Sequence, residues 1–184
     1  MSCLELYDRD AAVAYARQYA LSFNSQYANY ANSGGDCMNF VSQCLHAGGM
    51  PIKQQGFLWY GARSGSSASW KVVDDFLAYI RKSFGSPRLT FECYTTPENL
   101  KRGDIVFTVA KGTAGDISRN PSHIVILSED FATQGQMIVC GHTEPQLNAV
   151  KKRDDERCTY IHIPDESIPV SYTHLRAHET KANL

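Results

Sequence analysis

The chain has 184 residues, a formal net charge of −1, 43% hydrophobic and 20% charged residues. That length suffices for one domain with a real core, and the near-neutral balance argues against a nucleic-acid or anionic-membrane surface. No apolar run approaches the length of a membrane-crossing helix, and six cysteines are too few and too irregularly spaced for a disulfide scaffold. Met1 leads almost directly into Tyr7-Asp8-Arg9-Asp10, without a secretory signal. As it stands this reads as a cytoplasmic chain, or as an extracellular or cell-wall one if the gene model is incomplete.

The first expected helix runs from Tyr7 to about Ser22, capped by Asp8, with a weak stripe of Val13, Ala16, Ala20 and Leu21. Phe23 to Ser33 is rich in Asn, Ser and Tyr and reads as a loop. The next stretch, Gly34 to Gly49, organises the chain. Cys37, Phe40, Val41, Cys44 and Leu45 mark one apolar helical face between two glycine pairs. Gly34-Gly35 permits a sharp turn, Asp36 is a good N-cap, and Gly48-Gly49 suits a C-cap. Cys37 is thereby placed at the start of a buried helix, where free N–H groups favour a thiolate and a developing oxyanion.

Pro51 to Ser69 holds Trp59-Tyr60 and a Gly/Ser-rich run, readable as one wall of a cleft or as a satellite apolar cluster. Trp70 to Phe84 follows as a helix with Val72, Val73, Phe76, Ile80 and Phe84 at helical spacing. Four strands are predicted: Ile105 to Val109, His123 to Leu127, Gln136 to Cys140 and Cys158 to Ile163. Helices first and then short strands define an α+β fold, N-terminal helices packed on an antiparallel β-sheet.

Gly-Gly-Asp-Cys-Met-Asn-Phe-Val-Ser-Gln around Cys37 resembles the nucleophile motif of a bacterial amidase-domain family related to the NlpC/P60 peptidases, within the papain-like cysteine hydrolases. The family form usually has Thr or Ala where this chain has Met38. The likeness extends from Tyr7 to about Tyr160, beginning with Tyr-Asp-Arg-Asp-Ala-Ala-Val-Ala-Tyr-Ala. It implies a papain-like fold and cleavage of an amide or peptide, with a peptidoglycan stem peptide as the implied substrate.

Such chemistry needs a base beside the thiol and a group that orients the base. His123 opens the second predicted strand, at the sheet rim, and Arg-Gly-Asp-Ile-Val-Phe followed by Pro-Ser-His-Ile-Val-Ile resembles the histidine region of the NlpC/P60-like enzymes. His142 ends the third strand, at the same sheet edge if the two strands are antiparallel. The resembling enzymes often use a histidine as the third polar residue, so His142 is expected to orient His123, with Asp116 and Asp104 as weaker candidates. The Cys37 amide is the first oxyanion donor. Asn32 and Tyr30 are candidates for the second, and Trp59 for a substrate contact. Asp36 and Asn39 are read as structural support, as are Ser42 and Gln43.

Cys44 reads as a core residue; Cys3, Cys93 and Cys158 carry no partner motif, and Cys140 is a possible neighbour of the site. No cofactor or metal is expected. A zinc hydrolase using Cys37, His123 and His142 and a non-catalytic binding module are the competing readings. The charge pattern offers no nucleic-acid partner, and the oligomeric state is not legible. From Pro169 the residues resemble a translated sequencing adapter, so the domain is read as 1–168, and residues 169–184, with His174 and His178, are set aside.

Overall fold

A computed structural model of the chain describes residues 4–5, 7–83, 91–109, 121–165 and 168–169. Strand β1 (Leu4–Glu5) precedes helix α1 (Arg9–Tyr19). Asp8 caps α1, its carboxylate accepting the Ala11 N–H at 2.8 Å. Ala12, Val13, Ala16 and Ala20 form its buried stripe, and Leu21 is exposed. Helix α2 (Cys37–Ala47) is buried at every residue from Cys37 to Leu45. It ends through Gly48, whose N–H bonds the Cys44 carbonyl, and through Gly49 at φ 100°.

A hairpin of β2 (Gly61–Ala62) and β3 (Gly65–Ser66) follows. The single helix predicted from Trp70 to Phe84 is instead two helices, α3 (Ala68–Lys71) and α4 (Val73–Ser83). Extended backbone at Val72 (φ −115°, ψ 127°) separates them. Two successive β-branched valines weaken helix propagation there. The break leaves Val72 40% exposed while Trp70 and Phe76 on either side stay at 0%. Asp74 and Asp75 occupy the first turn of α4, where a helix N-terminus favours negative charge. Phe84 lies outside the described residues.

The remaining elements are β4 (Glu92–Tyr94), β5 (Ile105–Thr108), β6 (His123–Leu127), α5 (Phe131–Gln134), β7 (Met137–Gly141), β8 (Gln146–Lys151), β9 (Cys158–His162) and β10 (Ile168–Pro169). Six of them form one sheet in the order β4-β9-β5-β6-β7-β8. Every neighbouring pair is antiparallel, so the fold is mixed α+β with antiparallel pairing. β10 pairs with β1, and its Pro169 is the first residue of the stretch set aside as a tail; the rest of that stretch is outside the described residues.

The pleat sorts the sheet into two faces. Ile105, Phe107, Ile124, Ile126, Cys140 and Ile161 pack with α1, α2 and α4 in the main core. Val106, Val125, Leu127, Val139 and Tyr160 form a smaller core on the other face, covered in part by Leu100 and Phe131.

The start of α1 is tied to the sheet by a buried ionic cluster. Arg9 donates from Nη1 to Asp104 at 2.8 Å and from Nε to Asp165 at 2.7 Å. His162 Nδ1 meets the other Asp104 oxygen at 2.7 Å, and the Lys101 and Ile163 amides complete the carboxylate's partners. Asp104 is therefore committed here and does not orient His123. Removing one member leaves a buried charge without its partner. Asp104→Ala is accordingly expected to lower unfolding stability by about 3–5 kcal/mol; a urea titration showing a loss below about 1 kcal/mol would mean the cluster is dispensable.

Candidate active site

The site is built on the turn into α2. Gly34 and Gly35 hold φ of 99° and 110°, backbone that residues with a Cβ rarely adopt. A Cβ on Gly35 would also stand 3.0 Å from the Thr143 hydroxyl, the oxygen that accepts the Asp36 N–H at 3.0 Å. Thr143 itself has φ 76°, an uncommon state for a β-branched residue. Such strain persists where several contacts over-determine it, and here the hydroxyl bond to the Asp36 amide is one of them.

Asp36 occupies the N-cap position but its side chain does not cap the helix. Its Oδ1 accepts the Tyr30 N–H at 2.9 Å and the Asn39 side-chain N–H at 2.8 Å. Its Oδ2 lies 2.7 Å from His142 Nδ1. Asn39 donates further to the Ala28 carbonyl and accepts the Trp70 indole N–H at 2.9 Å. Asp36 and Asn39 thus fasten the loop before α2, the helix and α3 to one another.

The same network redefines His142. Its Nε2 lies 2.8 Å from the Tyr19 carbonyl at the end of α1. A carbonyl accepts only, and Asp36 Oδ1 already takes two N–H donors, as a carboxylate does. Both ring nitrogens are thus taken up, Nδ1 by Asp36 and Nε2 by the carbonyl at the end of α1. The ring also stacks on Phe40, 4.1 Å between centroids. With both nitrogens occupied, His142 does not orient His123; it holds Asp36 and the start of α2. Asp116, the other orienting candidate, lies outside the described residues.

Because Asp36 is turned away from the helix, the amides of Cys37, Met38 and Asn39 make no hydrogen bond among the described residues. Cys37 is 8% exposed and lines a cavity of about 430 Å³ together with Tyr30, Gly35, Lys71, Pro121 and Ser122. Tyr30, a candidate oxyanion donor, borders the cavity. Asn32 does not: it is exposed and outside the lining, and Ser33 borders the cavity in its place.

Trp59 is also elsewhere. It is fully buried, 4.5 Å from the Trp70 ring and 6.3 Å from Tyr79. The Pro51 to Ser69 loop borders a separate cavity of about 310 Å³ with Phe57, Leu58 and Ser69. Trp59 is part of the main core with Trp70, Phe76 and Tyr79, so the loop forms neither a wall of the Cys37 cavity nor a satellite cluster.

His123 stands at the sheet rim, as its place in the chain requires, and Pro121 and Ser122 before it reach the Cys37 cavity. Its side chain does not follow them. Ile124 and Ile126 face α2, so alternation sends His123 to the side of Val125 and Leu127. Its partner across the ladder is Thr108, whose hydroxyl receives the Lys151 ammonium at 3.2 Å. No hydrogen bond joins His123 to Cys37 among the described residues.

Burial, and then the Lys151 charge, lower the His123 pKa from 6.5, with Glu144 opposing. As pH falls below about 6.5 the unfolded chain takes up a proton that folded His123 resists. This residue's contribution to stability therefore falls with pH and is recovered as pH rises. Lys151→Gln is expected to raise the His123 titration midpoint, read by NMR of its ring protons; an unchanged midpoint would separate the two side chains.

The other polar and thiol groups are structural in this arrangement. Gln43 accepts the Tyr15 hydroxyl at 2.6 Å. Cys44 and Cys140 are buried in the main core, and burial pushes both thiols up. Among the described residues no three His, Cys, Asp or Glu side chains gather as a metal-ligand set, so Cys37, His123 and His142 do not form the zinc site of the competing reading.

The site is thus a cysteine at the uncapped start of a buried helix, bordering a cavity beside an antiparallel sheet. The family profile described as "Putative amidase domain" matches residues 6–162, from just before α1 to the last residue of β9. The chain belongs to that family, whose description points to amide hydrolysis. It is 35% identical over 103 residues to the Bacillus subtilis (strain 168) protein YhbB, covering 54% of this chain and 32% of that protein. It is 36% identical over 99 residues to YjcM of the same strain, covering 54% of this chain and 22% of that protein. Both names carry the word "uncharacterized", and the matched stretch is a minor part of each relative. No solved structure matches the chain significantly.

Proposed function

We propose that this domain is a cysteine amidase or peptidase of papain-like, NlpC/P60-like architecture, with Cys37 as its nucleophile. The observation that carries the reading is the unpaired helix start at the cavity: Cys37 lines it, and its amide is left free at the first turn of α2. The dipole at the start of α2 favours the thiolate. The thiolate attacks the amide carbonyl, and the Cys37 N–H receives the oxyanion. The amine leaves with a proton, and water cleaves the thioester.

The base in this proposal is His123. Burial and Lys151 keep it in the neutral, proton-accepting form near pH 7. The reaction in this proposal requires His123 to leave its place beside Thr108 and turn toward the cavity that Ser122 borders. His142 and Asp36 act by position, fixing the turn from which Cys37 projects. The substrate class proposed is the peptide amide of bacterial cell walls, on the strength of the NlpC/P60 resemblance.

The test is to incubate the protein with peptidoglycan stem peptides, quench in acid and measure intact mass. An acyl adduct mapping to Cys37, with release of the matching amine, is expected. Amide cleavage that continues in Cys37→Ala would overturn the nucleophile assignment.

A further inference from the structure

Lys71 is the cationic residue of the cavity, and this reaction does not use it. It ends α3, is half-buried, and lines the cavity beside Cys37. Its ammonium lies over the Tyr30 ring, 4.8 Å from the centroid. Arg9, Arg17, Lys101, Arg102 and Arg153 each pair with a carboxylate. Lys71 has no such partner among the described residues. A ring face attracts the charge but offers no oxygen to the three N–H donors. The ammonium is thus held within the cavity wall with its donors available to an incoming acceptor.

We propose that Lys71 anchors a carboxylate on the substrate of Cys37, so that the site selects amides carrying one acidic group close to the scissile bond. The proposal rests on the reading of Cys37 as nucleophile. It specifies a single carboxylate because Asp74 lines the same cavity and repels a second negative charge. The chemical class is an acidic peptide amide, in which the carboxylate fixes the register and the neighbouring carbonyl meets the thiolate.

Two alkylating probes test it, N-iodoacetylglycine and N-iodoacetylglycinamide, which differ only by a carboxylate. In each the Cys37 sulfur forms the new S–C bond and iodide leaves. The reading is the ratio of the two rate constants at Cys37, from peptide mass spectrometry at low ionic strength, relative to the ratio for N-acetylcysteine. The ratio cancels any change in thiolate population. Wild-type protein is expected to favour the acidic probe by about five-fold over the reference, falling toward one in about 0.5 M salt. Lys71→Gln removes the preference, Lys71→Glu reverses it and Lys71→Arg keeps it.

A wild-type ratio no higher than the reference overturns the proposal, and so does a raised ratio that Lys71→Gln leaves intact. The wild-type ratio and its salt dependence decide the matter even if a variant fails to fold. The neutral probe separates the two readings. If it labels Cys37 no faster than N-acetylcysteine at pH 7, the nucleophile assignment fails; if it labels fast and the ratio is flat, only the carboxylate anchor fails.

Discussion

Cys37→Ala is expected to abolish amide hydrolysis, by about 10⁴-fold or more, while leaving the fold intact. The size follows from removing the one atom that forms the covalent intermediate; nucleophile deletions in hydrolases leave only the residual effect of binding and oxyanion stabilisation. The stability cost is small because the thiol sits at the cavity wall, 8% exposed, and its loss removes one sulfur from the edge of the core. About 1 kcal/mol or less is expected on unfolding. Steady-state rates on a cleaved peptide, together with thermal unfolding, check both halves. Activity within tenfold of wild type would remove Cys37 from the chemistry, whereas a collapse in melting temperature would make the comparison one of folding.

Asp36→Ala is expected to have a large effect on stability. The substitution leaves the buried His142 ring without its carboxylate partner, and takes the acceptor from the Tyr30 amide and the Asn39 side chain. Each buried polar group left without its partner costs about 1–3 kcal/mol, and three together are a large share of the roughly 5–15 kcal/mol that holds a typical domain together. Cys37 projects from the turn that this network fixes, so activity is expected to fall even where the variant remains folded. A double-mutant cycle isolates the pair: Asp36→Ala with His142→Ala is expected to cost clearly less than the sum of the two single changes. Strict additivity in urea titrations would mean that Asp36 and His142 do not act together.

The parts of the fold legible in the sequence were those with a strong period and clear punctuation. The α2 stripe between two glycine pairs, and the apolar runs that became β5, β6, β7 and β9, appear within a residue or two of their predicted limits. Strand β8, Gln-Leu-Asn-Ala-Val-Lys, is an edge strand with partly exposed residues and little apolar alternation, so it carried no signal. The break at Val72 was hidden because the apolar spacing continues through it, and two adjacent valines weaken a helix without marking its end.

At the site, spacing placed Cys37, and strand order put the ends of β6 and β7 on one edge. Spacing along the chain does not show where a side chain finds its partner. The pleat turned His123 toward Thr108 and Lys151, and the two acceptors flanking His142 drew it into the support of α2. Lys71 was missed because a lone lysine at the end of a short helix has no local signature; only its position over Tyr30 in the Cys37 cavity marks it.

The pH dependence of Cys37 alkylation by iodoacetamide, followed site-specifically by mass spectrometry with His123→Ala in parallel, tests the central claim most directly. Fast labelling well below pH 8 in the parent protein, lost in the variant, is the expected result and establishes an activated Cys37–His123 pair. Slow labelling with an ordinary thiol profile, the same in both proteins, would contradict it.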